Sequence, residues 1–351
     1  MKEEIQKQLS VGFISMVEYQ EWLANVVHVP KMDGKVKVCV DIRDLNKASP
    51  KDDFPLPHID LLVDSIACHS MLSFMNGFLW YNKILMALED MGKTVFITEW
   101  GTYYYRVMPF GLKNEKAIYH NNVTTLFHVM MHRNVEVYVD DMIVKSRGRA
   151  DHLVTLERFF ERIRKFRLRL NLKKCNFGVT SGKLLGHMVS EWGIEVDPNK
   201  IKVVLDMPVS RIEKEIRGFL GRLQYISHFI ARLTDICEPI FHLLRKNQPT
   251  VWNDDCQLAF EKIREYLLSP PVLVPPMSGR PLLLYLLVSD MALRCMLNQL
   301  NVSRKERTIY YLSKRMLEYE IRYVMTERLC ISLVWATKDL KSTHEESHNS
   351  K

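Results

Sequence analysis

Residues 135–144 read Val135-Glu-Val-Tyr-Val-Asp-Asp-Met-Ile-Val144, and the fold turns on this stretch. Val135, Val137 and Val139 alternate up to Asp140-Asp141, and Met142-Ile-Val144 resume behind the acids, so the pattern predicts two strands meeting in an acidic β-hairpin. Adjacent carboxylates raise each other's pKa unless a cation lets both stay ionised. Mg²⁺ takes oxygen ligands and keeps several waters, so one or two carboxylates plus substrate phosphates make a typical site. Taken alone, the pair also reads as a solvated acidic turn, because Asp is a common turn residue.

Working outward, alternating runs flank a turn signal at Lys31-Met-Asp-Gly34, which predicts a second hairpin between Trp22 and Asn46. The proline-marked segment 49–57 leads into helical spacing over Ile59–Ile66. Met71–Met75 reads as a buried strand, and 95–98 with 103–107 as a further hairpin. A helix is expected from the Phe110-Gly111 loop to about Met131, and the stripe Leu153, Leu156, Phe159, Phe160, Ile163, Phe166 predicts another. Strands and helices intermix in an α+β layout.

Seven of the thirteen residues from Arg162 to Lys174 are basic, which fits either a solvated face or a phosphate track. Ser210-Arg-Ile-Glu213 reads as a capping box opening a helix, and Ser269-Pro-Pro-Val-Leu-Val-Pro-Pro276 as a stiff linker. A strand over Leu282–Val288 and a helix from Met325 to about Lys341 follow.

The 351 residues, 47% hydrophobic, supply enough apolar surface for two or three domains, so the chain is not a disordered tail. A net charge of +8 fits a polyanionic partner, with nucleic acid leading. Seven scattered cysteines without C-x-x-C pairs argue against a disulfide framework or zinc knuckle and point to a reducing compartment. No signal-peptide core or membrane-length apolar run occurs, so a soluble intracellular protein is expected.

The ordered blocks Glu21-Trp-Leu-Ala-Asn-Val26, Val40-Asp-Ile-Arg-Asp-Leu-Asn46, Phe54-Pro-Leu-Pro57, Met108-Pro-Phe-Gly-Leu-Lys113, Tyr138-Val-Asp-Asp141, Leu170-Asn-Leu-Lys-Lys-Cys175 and Leu185-Gly186 resemble the reverse transcriptase of plant gypsy-type LTR retrotransposons. The resemblance runs from about Glu18 to Leu340. It implies an α+β right-hand polymerase with fingers, palm and thumb, followed by a truncated RNase H-like α/β unit. The corresponding divisions are 1–195 for fingers and palm, 196–270 for thumb and connection, 271–279 for the linker and 280–351 for the RNase H-like unit.

The implied activity copies RNA or DNA into DNA from deoxynucleoside triphosphates, using two Mg²⁺ ions about 3.5–4 Å apart. Asp140 and Asp141 match the family's metal-binding palm acids, and Tyr81 the aromatic gate that excludes a ribose 2′-hydroxyl. Lys31 and Lys37 fall in the hairpin that grips the triphosphate; Lys37 stands where the family usually has Arg and lacks its bidentate fork. Phe110 and Gly111 match the loop beneath the nucleotide, and Lys174 the lysine that protonates pyrophosphate.

The family's third metal-binding acid is replaced here by Asn76, in Phe74-Met-Asn-Gly-Phe-Leu-Trp-Tyr81. A neutral carbonyl oxygen replaces a bridging carboxylate, so polymerisation is expected to fall severely. Leu79-Trp80 is expected to crowd Tyr81, and Glu115 to repel a template phosphate. In the RNase H-like part Asp290 is the candidate first acid, whereas Leu329 stands where a glutamate belongs and Glu327 lies about 200° around the helix, so no RNase H cleavage is expected. Two readings follow: an impaired polymerase segment, or a non-catalytic nucleic-acid-binding remnant.

Overall fold

The structure, a computed structural model, describes residues 2–18, 22–30, 36–54, 56–77, 80–208, 212–244, 251–289 and 291–344. Two compact units emerge, one from residues 1–57 with 73–178, the other from 58–72 with 179–351.

The first unit is built on a four-stranded sheet in the order Val135–Tyr138, Asp141–Ser146, Met71–Asn76, Asn176–Val179. The hairpin pairs Val135 with Val144 and Tyr138 with Asp141, so the acids fall at its tip as the alternation predicts. Val135, Val137, Met142 and Val144 share one face and pack with Phe127 and Phe159 from the helices Glu115–Phe127 and Arg149–Lys165. Phe127 and Phe159 stack at 5.0 Å between ring centroids. The first helix ends at Phe127, short of Met131, because His132 turns at φ +60° and Val135 donates to the Met130 carbonyl on entering the hairpin.

The opposite face of the hairpin buries charge. Lys145 Nζ lies 2.8 Å from Glu136 Oε1, both side chains being under 5% exposed, and His132 Nδ1 lies 3.1 Å from Glu136 Oε2. Burial alone would raise the Glu136 carboxyl, but the His132 hydrogen bond and the Lys145 charge hold it below its ordinary value. The bond to Glu136 in turn raises His132. His132 therefore contributes stability below about pH 6.5 and loses it as pH rises through its raised folded value, whereas Glu136 loses its contribution only in acid, below about pH 4.5. The difference in Tm between pH 6 and pH 9 is expected to shrink in His132→Asn, as thermal melts of variant and parent would show.

Two smaller sheets complete this unit. One orders Ile14–Met16, Gly101–Tyr105 and Phe96–Thr98; the other is the hairpin Val26–Pro30 with Val36–Val40. The expected turn at 31–34 lies outside the described residues.

The second unit holds the helix Ile59–Ile66, the meander Ser181–Leu184, His187–Ser190, Gly193–Val196, and a helical stretch ending in Asp254–Leu268. A three-stranded sheet, Leu282–Val288, Ala292–Leu300 and Glu306–Arg315, then carries the helix Met325–His344. Ser210 and Arg211 of the capping box lie outside the described residues, and the helix begins at Glu213. The proline-rich segment is a packed strut: Leu273 is buried and exchanges both backbone hydrogen bonds with Ile194. Gly193, at φ +142°, has no room for a side chain, since a Cβ there would meet the Leu273 carbonyl at 2.1 Å.

Burial, and then the nearby Asp60 carboxylate, push Asp64 of the Ile59–Ile66 helix up to about 7. A carboxyl whose folded value exceeds its unfolded one makes folding less favourable as pH rises from about 4 to about 7. Asp64→Asn is accordingly expected to raise Tm at pH 8 and not at pH 4; equal effects at both would refute the assignment.

Candidate active site

The hairpin tip is a two-residue loop, Val139-Asp140, closed by the pair Tyr138 and Asp141. Val139 sits at φ +51°, a conformation that costs a β-branched residue about 1–3 kcal/mol. The strained loop leaves Asp140 half-buried and Asp141 exposed.

The end of the Met71–Asn76 strand lies beside this tip. Gly77 N–H donates to the Asp140 carbonyl at 3.1 Å, and the Asn76 carbonyl accepts from Asn171 N–H at 2.9 Å. The Asn76 amide Nδ2 donates to Asp141 Oδ1 at 3.1 Å. Asn76 thus stands against the acids, and its side chain offers Asp141 a proton donor where a third carboxylate would offer oxygen.

Burial raises Asp140 above the ordinary carboxylate range. A hydrogen bond from Tyr81 and the charge of Lys174 oppose this, while Asp141 and Glu115 add to it. Tyr81 is 5% exposed, stacks on Tyr119 at 4.4 Å between centroids and meets Phe110 at 4.9 Å. Burial and then the Asp140 charge push its phenol well above the usual value.

The expected crowding of Tyr81 does not occur at Trp80. That indole is absorbed into the core, stacked on Phe127 at 6.3 Å, with Nε1 donating to the Arg169 carbonyl at 2.5 Å. Leu79 lies outside the described residues. Glu115 likewise has a local task, accepting the Gly111 N–H at 2.5 Å and so fixing the loop in which Gly111 adopts φ +100°.

Two contributors escaped the sequence reading. Asn46 latches the same loop from the other side, donating to the Gly111 carbonyl at 2.8 Å and accepting from Lys113 N–H at 2.7 Å. Tyr119 carries a buried hydroxyl with no partner among the described residues, and a Cβ on Gly77 would meet that oxygen at 2.8 Å. Asn46 ends one of the family-like blocks but its role is not readable there, because it acts across 65 residues of chain, and Tyr119 reads as an ordinary core aromatic.

Asn76, Tyr81, Phe110, Gly111, Asp140, Asp141 and Lys174 are thereby linked by contacts or by charge. Lys31 lies outside the described residues; Lys37 is placed only by its backbone, opposite Val29. Asp290 is also outside them, and Glu327 is exposed, its carboxylate accepting the Val324 N–H at 3.2 Å at the start of the last helix. Among the described residues no group of three or more His, Cys, Asp or Glu side chains could hold a metal ion. Two carboxylates, one of them bound to an amide N–H, do not make the donor set that a pair of divalent ions needs.

Residues 29–189 match the family described as reverse transcriptase (RNA-dependent DNA polymerase), and residues 252–349 the RNase H-like domain found in reverse transcriptase. The chain is 29% identical to the retrovirus-related Pol polyprotein from transposon 297 of Drosophila melanogaster, over 97% of this chain and 32% of that protein. It is 27% identical to the transposon Tf2-3 polyprotein of Schizosaccharomyces pombe, over 96% of this chain and 25% of that protein. The chain therefore spans a third or less of the length of these relatives.

The fold matches the foamy viral protease-reverse transcriptase solved in complex with dsDNA, at TM-score 0.86 and 20% identity, over 97% of this chain and 70% of that one. The match to that enzyme in complex with RNA/DNA hybrid has TM-score 0.82 and 19% identity, over 97% and 45%. With the acidic hairpin, the aromatic beside it and both domain matches falling in one order, the chain belongs to the reverse transcriptases of LTR-retrotransposon Pol polyproteins, a reverse transcriptase domain followed by an RNase H-like region.

Proposed function

We propose that this chain is the polymerase segment of a gypsy-type, plant-kind Pol polyprotein, which engages a primer annealed to an RNA or DNA template but extends it poorly. The observation carrying this reading is the Asn76 Nδ2 to Asp141 Oδ1 hydrogen bond of 3.1 Å. It spends one of two acids on an amide and leaves the site a carboxylate short.

In this reading Tyr81, fixed between Phe110, Tyr119 and Asp140, gates the sugar of a deoxynucleoside triphosphate. Lys31 and Lys37 grip its phosphates, Gly111 lies beneath it, and Lys174 donates a proton to pyrophosphate. Reverse transcriptases generally use divalent metal ions; here Asp140 and Asp141 would hold Mg²⁺ incompletely. Fingers and palm take residues 1–195, thumb and connection 196–270, and the RNase H-like unit follows the 271–279 segment without cleaving RNA. The protein works inside the cell; among the described residues no helix is long and apolar enough to cross a membrane.

A non-catalytic nucleic-acid binder is the second reading, favoured by the net charge of +8. Fluorescence anisotropy with a labelled RNA/DNA hybrid tests what both share. Saturable binding is expected, weakening steeply between about 50 mM and about 200 mM salt as phosphate contacts release counterions. Absence of saturable binding at low salt would overturn both. Primer extension, taken up below, separates them.

A further inference from the structure

Behind the Tyr81 segment, within the first unit, lies a cavity of about 540 Å³. Lys83, Arg164, Arg167 and Arg169 surround it, with Phe13 and Trp80 among its apolar walls, and no carboxylate lines it. Among the described residues none of these four cations forms an ion pair. All four side chains are exposed at its rim, Arg164 Nε also donating to the Phe160 carbonyl at 3.4 Å, and four cations with no carboxylate among them favour an anion there.

Arg167 supplies an independent observation. The Arg149–Lys165 helix ends with Leu168 N–H donating to the Ile163 carbonyl and Arg167 N–H to the Arg164 carbonyl, a Schellman closure with Arg167 at φ +51°. That left-handed position is one glycine occupies without strain. An arginine occupies it here, as Arg232 and Arg304 occupy left-handed positions elsewhere, and this one lines the cavity.

We propose that this cavity is an oligophosphate-binding site, filled by the phosphate chain of a nucleotide or by inorganic oligophosphate. The size falls within the usual range of small-ligand sites, about 300–1,000 Å³. The cations come from two separate segments and converge on one space, whereas a nucleic-acid backbone calls for charges strung along a groove. Arginine suits the task because its planar fork binds phosphate oxygens two at a time. The cavity wall continues into the strand end that carries Asn76: Trp80 Nε1 bonds the Arg169 carbonyl, Leu170 bridges Gly77, and Asn171 N–H bonds the Asn76 carbonyl. The site stands independently of the polymerase reading.

Isothermal titration of the full chain with sodium tripolyphosphate, and separately with dATP, tests the proposal in EDTA, which removes metal-bound nucleotide; binding unaffected by Arg169→Gln would place the ligand at Lys31, Lys37 and Lys174 instead and overturn it. One saturable site is expected, weakened by salt. Arg169→Gln is expected to weaken it about tenfold, the scale of one lost charged hydrogen bond. Arg167→Gly should weaken binding similarly while raising Tm, a combination that misfolding cannot produce. Lys202→Gln, on the helix Pro198–Leu205 outside this cavity, should leave binding unchanged. Tighter binding of dATP identifies a nucleotide, equal binding the phosphate chain alone, and either result supports the proposal. No saturable binding, equal weakening by Lys202→Gln, or binding of a single-stranded oligonucleotide through these arginines with none of tripolyphosphate would overturn it.

Discussion

Asn76→Asp is expected to raise Mg²⁺-dependent primer extension by about a hundredfold or more over the parent chain. The substitution removes the N–H that now occupies Asp141 Oδ1 and supplies a third carboxylate beside Asp140. Removal of one neutral donor at a transition state costs ~10²–10³ in rate, and a shared ligand of two cations is worth at least as much. The position needs no remodelling, because the backbone of residues 76 and 77 is already fixed by Asp140 on one side and Asn171 on the other. The same bonds disfavour deamidation of Asn76-Gly77, which requires the Gly77 nitrogen to leave its hydrogen bond with the Asp140 carbonyl.

A readout independent of turnover follows from the charges. In EDTA the third acid joins Asp140, Asp141 and Glu115, so the variant is expected to melt below the parent. Added Mg²⁺ should then raise its Tm and leave that of the parent nearly unchanged, since only a bound ion stabilises the folded state. Parent extension equal to that of the variant, on an annealed RNA template, would sink the claim of impairment. Failure of both to extend, with hybrid binding intact, would favour the binding remnant.

The second large effect is on stability. Glu136→Met or Lys145→Met is expected to cost about 3 kcal/mol, because each removes one charge of an ion pair buried at under 5% exposure, with His132 still bonded to Glu136 in the second. The double variant Glu136→Met with Lys145→Met should recover most of the loss, since a well-packed apolar pair can replace a buried ion pair at little cost. Urea denaturation of the four proteins gives the coupling energy directly. Single costs under about 1 kcal/mol would show that the pair does not hold the hairpin.

Much of the fold was legible because periodicity is local. The alternation around Asp140-Asp141 set the hairpin and its tip, and the apolar stripe through Phe159 and Ile163 set the helix behind it. The helix over Ile59–Ile66 appears with those bounds. Ends set by nonlocal contacts were less legible. The Glu115–Phe127 helix stops short of Met131 where the chain must turn into the hairpin, and the proline-rich segment is a strut only because Ile194 pairs with Leu273.

The candidate site divides in the same way. Tyr81, Phe110, Gly111 and the two acids carry their residue types in recognisable blocks, and Asn76 is visible where the proposed reading calls for an aspartate. Glu115 and Trp80 looked like damage on paper. In three dimensions one carboxylate caps the Gly111 loop and one indole fills the core.

The sequence by itself determined the family, the α+β layout, the acidic hairpin and the asparagine at position 76, since each is written in residue type and spacing along one stretch of chain. Tertiary structure alone decided that Asn76 turns an amide N–H toward Asp141, that Asn46 latches a loop 65 residues away, and that Lys83 meets three arginines around one cavity. Those facts depend on distances between segments far apart in the chain, which packing sets and no local pattern encodes.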